Sequence, residues 1–391
     1  MGSSCGGGED NRSVVRMGKE ELAAYQPRPG VRCEKAAAEF LARRKKEMES
    51  EPEESRTDLN AYEAGLYRVF WEQMFGKDGG SYEDITMIPP MAFSDRGCKF
   101  ADLQSTIQIF SIKVKETTGG LKWPLDVYGM VAVRDVVDHN LNVIFHRERD
   151  NCQIITTEDP YLALTGPTRA VVASVHPIYF DVDLKVKGDT KSEDKDLSFL
   201  AACYSSNGPW GSCLFDRAWT SKLSTLKFTF GHLVHSVEAT MSVKLIGGTW
   251  PHGYRGVFTA ETSGIPGKAM LLLDSCDGKL PVDVDGRVKL SRRVVCVEYV
   301  QPLDELGRAN LRVSKEAVCI KGRDNDEKVK GKKDNVKFGV DFLPKKRGRS
   351  RQMIEILSCE MEVNVVWSLM STFKSSYKKA IASHLESLSL I

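Results

Sequence analysis

The feature of this sequence that most constrains its fold is an alternation of apolar and polar residues with a period of two, which begins after Pro90 and continues over most of the chain. In Tyr179–Val186 the even-numbered residues are apolar, whereas Asp181, Asp183 and Lys185 are charged. Such a segment forms a β-strand with one buried and one solvated face. Because these runs follow one another at short spacings, they predict a mainly β protein built as an antiparallel β-sandwich, rather than a parallel sheet flanked by helices.

Further alternating or apolar runs define the extent of the predicted sheets. They lie at 107–114, 125–133, 141–146, 162–165, 170–174, 226–230, 236–246, 256–260, 269–273, 288–299, 336–342 and 361–366. A Gly- and Pro-containing segment at 204–219 is predicted to be a loop between two strand-rich halves. The sequences around 162–172 and 288–295 resemble each other, which favours two tandem sandwich modules, at 95–203 and 204–370.

Helical patterns flank the strand-rich region. Residues 1–58 are predicted to be disordered or partly helical, and residues 59–94 to hold a helix followed by a connector. Five apolar residues of this helix share one face: Tyr62, Leu66, Phe70, Trp71 and Met74. The segment 371–391 is predicted to be an amphipathic helix with the apolar residues Phe373, Tyr377, Ile381, Leu385 and Leu388. Packing of both helices on the main domain is favoured, with partner binding by the first and membrane binding by the second as alternatives.

Composition excludes several classes of protein. No apolar run approaches the ~18–20 residues that span a bilayer, so a transmembrane protein is excluded. The 55 Lys and Arg are nearly balanced by 53 Asp and Glu, which argues against a surface that tracks nucleic acid along its whole length. An apolar signal-peptide core is missing, and the ten cysteines include no C-x-x-C pair, so we expect free thiols in the cytoplasm or nucleus. Lipidation of Gly2 or Cys5 stays open, because Gly6 stands where the myristoylation pattern has Ser or Thr.

Residues that could bind a metal are sparse. The weak calcium candidates are Asp274, Asp277, Asp283 and Asp285. Carboxylates on neighbouring loops can converge on one ion, but the Asp-Gly pairs also fit hairpin turns, which we favour because no twelve-residue calcium-loop pattern is present. His232 and His235 are three residues apart in a predicted strand, which places them on opposite faces and disfavours zinc. No metal or other cofactor is therefore expected.

Two segments could contact a ligand or a partner. The glycine-rich loop 247–256 carries Trp250 and Tyr254, which could bind a ligand at one end of a sandwich. Residues 321–351 are interpreted as a basic loop, with twelve Lys or Arg against five Asp or Glu. Its densest cluster is Lys345, Lys346, Arg347, Arg349 and Arg351. The cluster fits a nuclear-import or nucleic-acid patch, although a solvated hairpin is favoured because aromatic residues for base stacking are nearly missing.

Recognisable catalytic motifs are absent from the sequence. Gly264–Ala269 contains a Gly-Lys pair but is too short for a phosphate-binding loop, and the only G-x-S-x-G match lies at 2–6, with no strand before it. No catalytic residue is therefore assigned. A hydrolase or glycosidase whose carboxylates converge only in the fold stays open as an alternative.

Several motifs resemble a known family. They include Ile85–Met91, Gly119–Gly129, Arg149–Gln153, Asp159–Val171 and Leu290–Val295. These segments resemble a family of grass proteins known only as domain of unknown function number 6598. The resemblance implies no activity and no catalytic residues. Some relatives are joined to ribosome-inactivating N-glycosidase domains, which hints at defence or stress, but the Glu-x-x-Arg matches of this chain lie in polar segments and that activity is not transferred.

These observations predict a non-enzymatic, intracellular binding module with a connection to stress or defence. A protein partner is the leading expectation, nucleic acid is a second one through the basic loop, and membrane contact is disfavoured. The alternatives are the hydrolase or glycosidase described above and a calcium-dependent, membrane-binding sandwich.

Overall fold

The computed structural model describes residues 59–76, 80–95, 98–174, 176–205, 211–252, 254–275, 279–300, 310–319 and 335–389. Some of the predictions therefore lie outside the described residues. They concern the segment 1–58 with Gly2 and Cys5, the calcium candidate Asp277, and residues 321–334 of the basic loop.

The described residues form two α-helices and sixteen strands. The helices are α1 (Leu59–Phe75) and α2 (Lys378–Ser389). The strands are β1 (Gln104–Thr117), β2 (Leu125–Arg134), β3 (Asn142–Arg147), β4 (Gln153–Ile155), β5 (Val171–Ala173), β6 (Ile178–Val186), β7 (Lys195–Tyr204), β8 (Cys213–Thr220), β9 (Ser224–Gly248), β10 (Tyr254–Thr262), β11 (Ala269–Asp274), β12 (Val294–Glu298), β13 (Leu311–Cys319), β14 (Asn335–Phe342), β15 (Gly348–Ile356) and β16 (Cys359–Ser368).

Three antiparallel sheets make up the fold. A seven-stranded sheet has the order β15-β16-β9-β1-β5, with β8 and β12 also paired to β9. A four-stranded sheet has the order β11-β10-β13-β14, and a five-stranded sheet has the order β3-β2-β6-β7 with β4 on β2. The prediction of a mainly β, antiparallel, sandwich-like protein is confirmed.

Two large apolar cores lie on either side of an irregularity in the 25-residue strand β9. Leu226, Phe228 and Phe230 belong to one core with strands of the five-stranded sheet, whereas the odd-numbered residues from Val237 onward belong to the other, with strands of the four-stranded sheet. The change occurs at a bulge, because Thr106 of β1 pairs with Leu233 and Gln104 with Ser236. The bulge contains His235, whose φ of 45° is unusual for a residue with a Cβ. One strand therefore carries both cores, where the sequence indicated two separate strands.

Helix α1 packs on the five-stranded sheet through aromatic residues. Tyr67 and Trp71 are buried, and the Tyr67 ring stacks on Tyr179 of β6 with the centroids 3.9 Å apart. The predicted stripe is therefore only partly right, because Met74 is 55% exposed while Tyr67, which was not part of the stripe, is buried. The buried face is rotated toward Ala64, Tyr67 and Trp71, whose spacings of three and four also suit a helix face.

Other boundaries differ from the predicted ones. Part of the predicted loop 204–219 is strand β8, and Arg349 and Arg351 of the predicted basic loop lie in strand β15. Charged and polar residues are common on both strands because they are exposed on at least one face. Helix α2 begins only at Lys378. Neither described helix is long and apolar enough to cross a membrane.

Candidate functional site

Charged side chains meet in the interior, where the loop after β2 lies against the segment before β5. Arg169 donates two hydrogen bonds to the carboxylate of Asp135, at 2.6 and 2.9 Å, and one to Asp138 at 3.0 Å. All three side chains are buried. Asp135 also accepts the backbone N–H of Val172, and Asp138 accepts the hydroxyl of Thr86. Because both carboxylates are bonded to the guanidinium and to a neutral donor, the cluster holds the loop against the sheet.

A third carboxylate, Glu238 of β9, lies beside this cluster. Its two oxygens accept the backbone N–H groups of Met91 and Ala170, at 2.6 and 2.8 Å. Burial raises the pKa of Glu238 above the usual value for a glutamate, against the attraction of Arg169. A raised pKa is typical of a general acid, but both oxygens already hold the backbone in place.

A small cavity adjoins Arg169 and Glu238. It has room for about one water molecule. Its wall is made of Pro89, Ala92, Arg169, Ala170, Glu238, Ser368, Leu369, Met370 and Tyr377. A sugar ring does not fit in this volume, and Glu238 is the one carboxylate among the lining residues, so this cavity lacks the pair of carboxylates that a glycosidase needs.

A second buried cation fixes helix α1. Arg134, at the end of β2, donates to Asp181 at 2.9 Å and to the carbonyl oxygen of Tyr82 at 2.7 Å. Its guanidinium lies 3.8 Å from the centre of the Tyr82 ring and 5.3 Å from that of Trp71. The Trp71 indole donates to the carbonyl oxygen of His139 at 2.7 Å. Arg134 also donates to the carbonyl oxygen of His139 at 3.1 Å. This cation is therefore enclosed by a carboxylate, two carbonyl groups and two aromatic rings.

The calcium candidates among the described residues do not form a shared cage. Asp274 forms an ion pair with Arg255 at 2.6 Å. Asp283 accepts the backbone N–H groups of Asp285 and Arg287, at 2.9 and 2.8 Å, and thereby closes a hairpin turn that contains Gly286 at a φ of 80°. The described residues contain no group of three or more His, Cys, Asp or Glu that could hold a metal ion.

The predicted ligand loop directs its aromatic residues inward. Tyr254 is buried, and Trp250 packs against the same core. The Trp250 indole donates to the carbonyl oxygen of Tyr254 at 2.7 Å. A Cβ at Gly256 would come within 3.1 Å of the Trp250 ring, so the missing side chain of this glycine allows the ring to approach the backbone closely. The two side chains thus pack the end of the sandwich.

The two histidines of β9 lie in different environments. His232 is buried, and its Nδ1 is 3.1 Å from the hydroxyl of Tyr204. Burial lowers the pKa of His232 to about 4. His235 is exposed in the bulge described above. The two rings therefore lie in different environments, but the bulge between them interrupts the regular alternation on which the prediction of opposite faces rests.

The basic cluster of the sequence lies in the connection from β14 of the four-stranded sheet to β15 of the seven-stranded sheet and in the first residues of β15. We call residues 343–351 the basic hairpin after the turn of the chain, although β14 and β15 do not pair with each other. Arg347 is held by the carbonyl oxygen of Phe93 at 3.1 Å, and Arg351 forms an ion pair with Glu362 at 3.1 Å. Lys345, Lys346 and Arg349 are exposed. No carboxylate of the described residues forms an ion pair with these three cations.

Comparison with family patterns decides the family of the chain. The pattern described as "Domain of unknown function (DUF6598)" matches residues 106–365, which include most strands of all three sheets. The chain belongs to this family. The DUF6598 match confirms the resemblance seen in the sequence, and it carries no activity. The match does not show that the DUF6598 family is restricted to grasses.

Other comparisons add little to the DUF6598 assignment. No curated protein matches the sequence. Among solved structures, the chain is similar to human GIVD cytosolic phospholipase A2 at 8% identity, over 69% of this chain and 33% of that chain. It is also similar to a structure of the two C2 domains of extended-synaptotagmin 2 at 12% identity, over 71% of this chain and 96% of that one. Both TM-scores are 0.20, so neither likeness indicates a shared fold or activity.

The charged centre of the DUF6598 chain was missed by sequence reasoning. Arg134, Arg169 and Glu238 each stand next to apolar residues in strands or at strand ends, as in Val237-Glu238-Ala239. A charge inside an otherwise apolar run is the available signal, because such a residue is buried only if it is paired. The carboxylate partners of the two arginines come from 31 to 47 residues away in the chain, and so the sequence alone could not identify them.

Proposed function

We propose that this DUF6598 chain is a non-enzymatic interaction module that recognises an acidic partner through the basic hairpin. The observation that carries the proposal is the contrast between its interior and exposed charges. Arg134 and Arg169 are paired with carboxylates inside the protein, whereas Lys345, Lys346 and Arg349 have no carboxylate partner among the described residues. Cations without a local counter-ion create the positive potential that attracts an acidic partner.

The basic hairpin is held firmly enough to present these cations. Gly348 donates its backbone N–H to the carbonyl oxygen of Ser94 at 3.0 Å and takes a φ of 97°. Lys345 donates from Nζ to the carbonyl oxygen of Arg349 at 3.0 Å, within the same hairpin. Because β15 also pairs along its length with β16, the backbone that carries Arg349 is fixed in the edge strand of the seven-stranded sheet. A preorganised charged surface loses little entropy when it binds.

The hydrogen bonds of the buried carboxylates favour an interaction module over a hydrolase. Asp135, Asp138 and Glu238 meet in the interior, and each is bonded to backbone or to Arg169. Cys98, Cys152, Cys296 and Cys359 are free thiols. Free thiols are typical of reducing compartments, and we therefore propose that the module works in the cytoplasm or nucleus.

The proposal is tested by retention of the full chain on immobilised heparin, used as a polyanion of known charge. The triple variant K345E/K346E/R349E should elute at a much lower salt concentration than the wild type, because three cations are replaced by anions on one surface. The matched control K195E/K268E/K289E makes the same change in charge at three exposed lysines elsewhere. Equal elution of the two triple variants, or no retention of the wild type, would contradict the proposal.

A further inference from the structure

Two phenylalanine rings are exposed next to each other near the basic hairpin. Phe100 is 65% exposed and Phe373 is 57% exposed. Their ring centroids are 6.1 Å apart in an edge-to-face arrangement. Isolated exposed apolar residues are common, but two large aromatic rings in contact on the surface indicate a contact site. We call them the phenylalanine pair.

The backbone fixes the phenylalanine pair in this exposed position. Phe373 donates its N–H to the Ser371 hydroxyl at 3.2 Å, and its carbonyl oxygen accepts the N–H of Ser376 at 3.0 Å. On the other side, Asp102 and Met370 exchange two backbone hydrogen bonds, of 2.9 and 3.3 Å. The two turns that carry the rings are therefore joined to each other. The rings are therefore exposed because hydrogen-bonded turns of the folded chain hold them in this position.

Exposed lysines lie close in sequence to both members of the phenylalanine pair. Lys99 precedes Phe100, and Lys374, Lys378 and Lys379 follow Phe373; all four are exposed. One exposed carboxylate, Asp102, lies in the same two turns, and its Oδ1 accepts the N–H of Leu103. The surface next to the rings is therefore distinctly positive, in a chain whose overall formal charge is only +2.

The phenylalanine pair and the basic hairpin belong to one end of the molecule. Phe93 connects them, because its carbonyl oxygen binds Arg347 of the hairpin and its ring lies 4.8 Å from the ring of Tyr377, just before α2. In the sheet, Gly348 pairs with Trp367, three residues before Met370. The two segments are therefore connected through Phe93 and through the β15–β16 pairing.

We infer that this end docks on an anionic lipid surface, with the phenylalanine pair inserted among the acyl chains near the headgroups and the lysines paired with lipid phosphate or carboxylate groups. The inference rests on the proposed function and names its partner. Aromatic rings flanked by lysines are the chemistry that binds the boundary between headgroups and acyl chains. Single-stranded nucleic acid fits less well, because among the described residues the two rings do not lie in a positively charged groove that could follow its backbone.

The test is co-sedimentation of the full chain with vesicles in the presence of EDTA, so that any binding is independent of calcium. Vesicles contain phosphatidylcholine alone or with about 30% phosphatidylserine. We expect binding to the anionic vesicles and little to the neutral ones. The variant F100S/F373S should bind more weakly by about tenfold for each ring. The variant K374E/K378E/K379E should bind more weakly by at least about fivefold for each lysine, because each substitution removes a positive charge and adds a negative one. The controls are F338S, at a phenylalanine that is 46% exposed on β14, and K195E/K268E/K289E.

The outcomes separate this inference from the proposed function. Loss of vesicle binding in both test variants and its retention in both controls would support the lipid surface. The inference is overturned if the wild type ignores anionic vesicles, if binding requires calcium, or if F100S/F373S binds as the wild type does. Preferential binding of a single-stranded RNA oligonucleotide, or a dimer that F100S/F373S dissociates, would also overturn it. Retention on heparin without vesicle binding would overturn the lipid inference and leave the proposed function in place. If the wild type binds neither heparin nor anionic vesicles, the proposed function and the lipid inference are both contradicted.

Discussion

The guanidinium of Arg169 binds both carboxylate oxygens of Asp135 in the interior, with N–O distances of 2.6 and 2.9 Å. The two residues are 34 positions apart in the chain, so that the pair ties the loop after β2 to the segment that enters β5. Both side chains are buried, at 3% and 1% exposure. Removing one member of such a pair leaves the other charge without compensation.

We therefore predict that Arg169→Met lowers the free energy of unfolding by about 3 to 5 kcal/mol, because Asp135 and Asp138 stay buried without their cation. Arg169→Lys should be intermediate, since an ammonium group keeps the charge but cannot bind both oxygens side by side. Urea denaturation followed by tryptophan fluorescence measures both. Arg287→Met, at an exposed arginine, is the matched control and should change stability by less than about 0.5 kcal/mol. A similar stability of the Arg169 and Arg287 variants would show that the pair is dispensable.

Stability should fall in acid because of His232. The pKa of this buried ring is about 4, below its value of 6.5 in a solvated chain. The neutral ring is therefore favoured in the folded state, and its contribution is complete above pH 6.5 and is lost as the pH falls toward 4. The loss amounts to about 2 to 3 kcal/mol near about pH 4.5. His232→Gln keeps a polar partner for Tyr204 and should flatten the pH dependence by that amount; an unchanged slope would contradict the assignment.

Lys315 gives a prediction of the opposite kind, because its replacement should stabilise the protein. Its side chain is 1% exposed, and its Nζ has no hydrogen-bond partner among the described residues. Burial lowers the pKa of Lys315 to about 8, from 10.5. The charged amine is disfavoured in the folded state, so Lys315→Met should raise the free energy of unfolding by about 2 to 3 kcal/mol near about pH 7. The difference should shrink as the pH rises from 8 to 10.5, and a constant difference would rule out this cause.

The packing of helix α1 against the rest of the protein should depend on Trp71. This side chain is 1% exposed and contacts Arg134 and Tyr82 as well as the carbonyl oxygen of His139. Trp71→Ala should cost about 3 to 5 kcal/mol, and hydrogen exchange should increase across α1. Met74→Ala, three residues later and 55% exposed, should leave both stability and exchange nearly unchanged. Equal effects of the two substitutions would mean that the helix is not docked through its buried face.

The sheets were predictable from the sequence because alternation reports burial of one face. Segments such as 125–133 and 179–186 alternate or are apolar, and the structure has β2 and β6 there. Strands β8 and β15 were not predicted, because they have many exposed residues and their sequences resemble those of polar loops. Strand β9 was predicted as two strands because a bulge at 234–235 shifts the alternation of apolar and polar residues.

The candidate site could be predicted only in part. The basic hairpin was visible as a local excess of Lys and Arg, since charge composition does not depend on the fold. The phenylalanine pair was not visible, because Phe100 and Phe373 are 273 residues apart by number and are joined only through the Asp102–Met370 pairing. Phe373 was expected on the apolar face of the terminal helix, which begins five residues later at Lys378.

Hydrogen exchange of the full chain with and without anionic vesicles, in EDTA, tests the account most directly, because it locates the bound surface on the folded protein. We predict that protection on binding is concentrated in residues 98–103, 343–351 and 371–380, which hold the phenylalanine pair and the basic hairpin. Protection centred instead on the turn of Asp283 and Asp285, or no change anywhere in the described residues, would contradict the claim that this end is the binding surface.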